Sequence, residues 1–247
     1  MEAYALTDIG QVRSMNQDYI YSSPERVGSL PNLFLVADGM GGHQAGDYAS
    51  RFAVENLVIY LNREGKGSPV MQLKTGIGIV NGLLYEESLL REELKGMGCT
   101  LVAGVVEDNI LYVANVGDSR LYLIHGSLIH QVTRDHSYVE EMVAMGQMER
   151  DSSAYNRQKN IITRAMGISE TVDTDFFEVD LEPGDYFLLC SDGLTNMVED
   201  RDICRIVSGP GTMREKASAL IAEANRRGGN DNIAVVLVKP LESGVTT

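Results

Sequence analysis

Short apolar runs rich in β-branched and aromatic residues recur along the chain, at positions 18–21, 33–37, 100–106, 111–116, 121–124, 186–190 and 233–238. Runs of this kind bounded by Gly, Asn, Asp or Ser read as strands. Glu107-Asp108-Asn109 separates Val105-Val106 from Ile110-Leu111, and His125-Gly126-Ser127 separates Leu123-Ile124 from Leu128-Ile129. Connections so short join antiparallel neighbours, so much of the sheet is expected to be antiparallel. Helical spacing appears in separate blocks. Ala49, Phe52, Ala53, Leu57 and Leu61 share one face, as do Leu73, Ile77, Val80 and Leu84. A third block, 212–227, stops at Gly228-Gly229, a helix-termination signal. Helices grouped between hairpins predict an α+β layered fold rather than a doubly wound one. The stretch 145–159 is polar and poorly periodic and reads as a long surface insertion, often a functional feature. No linker or repeat divides the chain, which predicts one domain.

Composition narrows the function classes. The chain has 247 residues, 21 Lys plus Arg against 35 Asp plus Glu, and a formal net charge of −14. Nucleic-acid binding depends on basic side chains that neutralise phosphates, so the charge argues against that class and against docking on anionic lipid. An anionic substrate would need some other positive charge to receive it, and a bound metal supplies one. Cys99, Cys190 and Cys204 show no C-x-x-C spacing, so neither a disulfide framework nor a zinc knuckle is expected. The N-terminal residues lack a basic region followed by an apolar stretch, and no run approaches a membrane span, so the expected location is the cytoplasm.

The candidate chemistry lies in the aspartates. Apolar runs end in a carboxylate followed by a small residue at Asp38-Gly39, Asp118-Ser119 and Asp192-Gly193, and Asp231 stands just before the run 232–238. Asp-Gly after a strand is also a common turn signal, so each alone reads as a turn. Together, at strand ends of one sheet, they could face a common cleft. Gathered carboxylates repel and lose hydration, a cost that divalent cations offset. Oxygen-only donors favour Mg²⁺ or Mn²⁺ over Zn²⁺. Other chemistries fail on spacing. The residues six after each cysteine are Val105, Asn196 and Pro210, so no Cys-x₅-Arg phosphate cradle exists, and no nucleotide loop of the Gly-x-x-x-x-Gly-Lys-Ser/Thr type is present.

The segments Arg13-Ser14-Met15-Asn16-Gln17-Asp18, Asp38-Gly39-Met40-Gly41-Gly42-His43, Gly96-Met97-Gly98-Cys99-Thr100, Val116-Gly117-Asp118-Ser119-Arg120, Ser191-Asp192-Gly193-Leu194-Thr195 and Gly228-Gly229-Asn230-Asp231-Asn232 occur in the order seen in bacterial metal-dependent protein phosphatases of the type-2C class. The chain resembles that family over nearly its whole length. The resemblance implies a four-layer αββα sandwich, two antiparallel sheets flanked by helices, as a single catalytic domain over 1–240 with a flap near 140–160 and a tail at 241–247. It implies hydrolysis of phosphoserine and phosphothreonine in proteins by water activated between two Mn²⁺ or Mg²⁺ ions, and a Ser/Thr protein kinase as counterpart. In the implied site Asp38 bridges the two ions, with the Gly39 carbonyl as a further ligand to one of them, and Asp192 and Asp231 complete the shell of the other. Asp118 helps Asp192 hold a weaker third ion beside the flap. Arg13 binds the substrate phosphate, Asp18 orients water, Gln17 and Asn232 act behind the ligands, and His43 is a candidate acid for the leaving alkoxide or a bond within its Gly-rich turn. The family usually has Glu where Gln17 stands, and Thr where Cys99 stands. Gln17 favours the alternative, a non-catalytic or narrowly specific regulatory module of the same fold; Cys99 is expected to be a packing change.

Overall fold

The computed structural model of the protein describes residues 1–42, 45–150 and 152–240. The chain runs β1 (Glu2–Asp8), β2 (Asp18–Ser23), β3 (Leu33–Met40), α1 (Ala45–Arg63), α2 (Pro69–Leu90), β4 (Gly98–Cys99), β5 (Leu101–Glu107), β6 (Ile110–Val116), β7 (Arg120–His125) and β8 (Leu128–Gln131). It continues with α3 (Tyr138–Ala144), α4 (Ser153–Gln158), β9 (Asp175–Asp180), β10 (Tyr186–Cys190), α5 (Asp192–Thr195), α6 (Asp200–Ser208), α7 (Met213–Arg226) and β11 (Ile233–Lys239). One sheet has the order β1-β11-β10-β7-β8; the other has β2-β3-β5-β6-β9, with β4 paired to β3. Every ladder is antiparallel.

Alternation along single strands builds the layers. In β3, Leu33, Leu35 and Ala37 pack with α1 and α2, while Phe34 and Val36 point into the seam between the sheets. In β11, Ile233, Val235 and Leu237 face α6 and α7, while Ala234, Val236 and Val238 enter the same seam. Both faces are therefore buried, which is why these strands read as unbroken apolar runs instead of the alternation of a half-wet antiparallel sheet. Phe34 and Phe187 meet edge to face across the seam at 5.6 Å. The product is the expected α+β four-layer sandwich.

The turn chemistry holds in detail. Asp108 and Asn109 take φ of 51° and 63° between paired Glu107 and Ile110, as a type I′ hairpin requires. Gly126, at φ 57°, opens the loop between paired His125 and Leu128. Helix α7 carries a capping box, with Thr212 accepting from the Glu215 amide and the Glu215 carboxylate accepting from the Thr212 amide. Strands β1 and β9 were not foreseen. Both are half-exposed edge strands interrupted by acidic residues, Glu2 and Asp8 in β1 and Asp175, Glu178 and Asp180 in β9, so they lack the unbroken apolar signal of the central strands. The stretch 145–159 is not wholly irregular, since Ser152 caps the short helix α4 by accepting from the Tyr155 amide. No helix among the described residues is long and apolar enough to cross a membrane.

Candidate metal centre

The carboxylates gather at one end of the sandwich, and they come from both sheets, not from strand ends of one sheet as expected. Asp18 opens β2 and is the register partner of Asp38 near the end of β3. Asp118 lies in the β6–β7 connection, Asp192 begins α5 directly after β10, and Asp231 precedes β11. The sheet–sheet seam thus ends in acid.

Asp-Gly does not mark turns here. Neither Gly39 nor Gly193 is among the glycines with positive φ. A Cβ on Gly39 would stand 2.0 Å from the Gly46 carbonyl oxygen, and one on Gly193 would stand 1.9 Å from the Asn232 carbonyl oxygen. These positions are glycine because another backbone lies directly against them. That contact presses the end of β3 onto the first turn of α1, and the start of α5 onto the turn that carries Asp231. In both places backbone lies against backbone, and the carboxylate before each glycine is carried with it.

Hydrogen bonds hold the remaining pieces. Thr100 Oγ1 accepts from the Asp38 amide at 2.9 Å, and the Thr100 amide donates to the Asp38 carbonyl at 2.8 Å. Ser191 Oγ donates to Asp18 Oδ2 at 2.6 Å while accepting from the Ala234 amide at 2.9 Å. Asn196 donates to Asp192 Oδ2 at 2.9 Å. Asn232 ties down the 9–17 loop at three points: its side-chain nitrogen donates to the Ile9 and Met15 carbonyls, both at 2.9 Å, and its side-chain oxygen accepts from the Gln17 backbone amide at 2.8 Å. His136 Nδ1 accepts from the Gly117 amide at 3.0 Å and so fixes the residue before Asp118. Thr100, Ser191 and Asn196 all stand in or beside the recognised motifs, yet residue type alone gave them no role. Only the fold shows which carboxylate each one faces.

The electrostatics are those of an uncompensated acidic site. Burial, with Asp192 and Asp231 nearby, pushes Asp18 up to about 8 against the lowering bond from Ser191. Burial and the four other aspartates hold Asp38 well above the usual carboxylate range. Burial, then Asp192, raises Asp118 to about 8. Asp192 rises to about 6, from burial and Asp231, with Arg120 opposing. Asp18 Oδ1, Asp118 Oδ1 and Asp192 Oδ1 are buried with no hydrogen-bond partner. Orphaned carboxylate oxygens in one acidic cluster are what oxygen-ligated divalent cations would satisfy. Among the described residues no three His, Cys, Asp or Glu side chains close into a ligand set by themselves, so any ion would draw also on carbonyl or water oxygen.

Arg13 Nη2 donates to Asp231 Oδ2 at 2.8 Å, with both side chains part-exposed, so the expected phosphate ligand rests on an expected metal ligand. The Gln17 amide and the Gly39 carbonyl both press on Gly46, 2.6 and 2.7 Å from where its Cβ would be. Cys99 is fully buried and pairs in register with Gly39, the packing role expected for it. A cavity of about 170 Å³ is lined by Asp118 and Asp192 on one side and by Tyr155, Asn156 and Lys159 on the other, so the 145–159 stretch borders the carboxylates. His43 lies outside the described residues.

The description of the family that matches residues 11–237 is protein phosphatase 2C. The chain is 38% identical over 247 residues to the serine/threonine phosphatase stp of Listeria innocua, covering 97% of this chain and 96% of that protein. It is 40% identical over 251 residues to the protein phosphatase PhpP of Streptococcus pneumoniae, covering 96% and 97%. The crystal structure of the serine/threonine phosphatase Stp1 from Staphylococcus aureus matches with a TM-score of 0.89 at 35% identity, over 97% of this chain and 95% of that one. The Mycobacterium tuberculosis serine/threonine phosphatase PstP/Ppp matches with a TM-score of 0.85 at 33% identity, over 96% and 97%. With its motifs, its four layers and its acidic seam, this chain belongs to the protein phosphatase 2C family.

Proposed function

We propose that the chain is a protein serine/threonine phosphatase that depends on Mn²⁺ or Mg²⁺, bound as two ions with a weaker third. The observation that carries this reading is the set of buried aspartates at the seam whose Oδ1 atoms have no partner in the protein. Asp38 would hold both ions, the Gly39 carbonyl one of them, and Asp192 and Asp231 the other; Asp118 and Asp192 would hold the third. Cations bound there lower the pKa of water and offset charge on phosphoryl oxygens.

The protein's own groups do the rest. Arg13, tethered to Asp231 by an exposed ion pair worth little by itself, can turn its guanidinium fork to a tetrahedral phosphate dianion. Asp18, held by Ser191, would orient water and hold a proton. Asn232 locks the 9–17 loop, keeping Arg13 and Asp18 in register, and Gln17 lies against Gly39 through Gly46. His43 is proposed as the acid that protonates the leaving serine or threonine oxygen. The segment near 140–160 would act as a flap over the third-ion site, within a catalytic domain of 1–240; the proposed tail, 241–247, lies outside the described residues.

The relatives' printed names support phosphorylated proteins as substrates. A cytoplasmic Ser/Thr kinase sharing those substrates is the implied counterpart, and the net charge of −14 weighs against nucleic acid or anionic membrane as partners. The test is turnover of a small aryl phosphate and of a phosphoserine peptide with Mn²⁺, Mg²⁺ or a chelator. Hydrolysis of both that stops on chelation supports the reading. Ion binding without hydrolysis of either substrate would leave the non-catalytic module in its place.

A further inference from the structure

A groove of about 870 Å³ runs along α1 outside the carboxylate set. Its walls begin where the metal centre ends. Ser14 and Met15 follow Arg13, and Asp47 follows Gly46, the residue on which Gln17 and Gly39 press. The groove therefore opens from the end of the molecule where the phosphate is proposed to bind.

Its surface has two characters. Tyr48 and Phe52 stack with ring centroids 5.7 Å apart and planes at 27°, and with Met15 they form a part-exposed apolar wall. The rest is acidic once the internal pairs are removed. Arg51 is taken by Glu55 at 2.9 Å, and Arg91, lying over the Tyr48 ring, is taken by Glu87 at 3.3 Å. Asp47 and Glu93 have no ion-pair partner among the described residues. The positive end of α1 suffices to explain a carboxylate at Asp47. It does not explain Glu93, which reaches the same groove from the segment after α2.

We propose that this groove binds the polypeptide flanking the phosphorylated residue and selects flanks that carry a Lys or Arg together with an apolar side chain. The proposal rests on the phosphatase reading and adds a substrate class to it. The cations would receive the phosphate, so an acidic groove beside them cannot serve the phosphate; its charge complements a basic flank and repels an acidic one. The aromatic pair supplies area for an apolar neighbour and a face for the cation.

The test compares two phosphoserine peptides of equal length, one with basic and apolar flanks and one with acidic flanks, against a small aryl phosphate that cannot reach the groove. The wild-type protein should favour the basic peptide in kcat/KM by roughly tenfold, the size that two half-exposed ion pairs supply. In the double variant Asp47→Asn, Glu93→Lys the preference should fall to within about twofold, through KM, with aryl phosphate turnover unchanged and the melting temperature lowered by no more than about 4 °C, the loss of one charge at the start of α1. Equal rates on the two peptides, a preference that survives in the variant, or a parallel loss on the aryl phosphate would each overturn the proposal. Failure of the wild-type protein to hydrolyse any of the three overturns the phosphatase reading itself and takes the groove proposal with it.

Discussion

Two buried polar clusters lie beside each other in this molecule and are built on opposite terms. In one, Arg120 donates to both oxygens of Asp135 at 2.7–3.1 Å and to the Tyr122 hydroxyl at 2.9 Å, which donates on to Asp200 at 3.0 Å. The Arg120 charge meets that of Asp135, the Asp200 carboxylate accepts from a hydroxyl, and Arg120 stays firmly protonated. In the other, two residues away along the chain, Asp118 joins Asp18, Asp38 and Asp192 in a set of like charges with unpartnered oxygens. The same fold that satisfies the first cluster leaves the second unsatisfied. A structural network removes its own desolvation cost; the acidic one leaves that to something from outside the chain.

The sharpest way to break this comparison is Asp38→Asn. It should lower aryl phosphate turnover by about a thousandfold or more, yet leave the metal-free protein melting at the same or a higher temperature, because one buried like charge is gone. A retained rate in the Mn²⁺ assay, or a large drop in melting temperature, would set the comparison aside.

Next in size is a pH effect on the metal-free protein. Asp18 and Asp118, near 8, and Asp192, near 6, sit above the 3.8 of an unperturbed aspartate. Between those values the folded state binds more protons than the unfolded one, so stability falls as pH rises. The melting temperature should therefore decline from about pH 5 to pH 8, the window those shifts define, and Mn²⁺ should flatten the decline. Calorimetry across that window checks it, and a rise would contradict the electrostatics.

The neighbouring network predicts the reverse pattern. Asp135→Asn leaves Arg120 largely buried without its counter-charge, which should cost about 3 kcal/mol, the low end for a broken buried pair given the residual exposure of Arg120. For a domain this size that is roughly 6–12 °C in melting temperature, with no gain from Mn²⁺ beyond that of wild type. The smallest effect belongs to Arg13→Ala. The exposed pair with Asp231 contributes little to stability, so melting should be unchanged while KM for aryl phosphate rises about tenfold, the scale of one lost charge-assisted contact. An unchanged KM would leave Arg13 as a partner of Asp231 alone.

Much of this was legible in the residues. The central strands announced themselves because both their faces are buried, and Asp108-Asn109 and Gly228-Gly229 marked a hairpin and a helix end. The motifs that carry the family resemblance hold Asp18, Asp38, Asp118, Asp192 and Asp231, which the fold collects. What could not be read was relational. No spacing rule says that Ser191 faces Asp18 across 173 positions, that Asn232 binds the 9–17 loop, or that Gly39 and Gly193 are glycine because a second backbone lies against them. The paired aspartates looked like turn residues for the same reason: the partner that forbids a side chain is remote in the chain. Strands β1 and β9 escaped because Glu2 and Asp8 in one, and Asp175, Glu178 and Asp180 in the other, break the apolar pattern.

The pairing of β1 with β11, Glu2 opposite Lys239, has a consequence for biosynthesis. During synthesis β1 lacks its ladder partner until β11 has been made. Asp231 arrives equally late, so no earlier nascent length can assemble the full carboxylate set. A nascent chain that has not yet reached β11 therefore cannot form the site, and unfinished copies of it are silent.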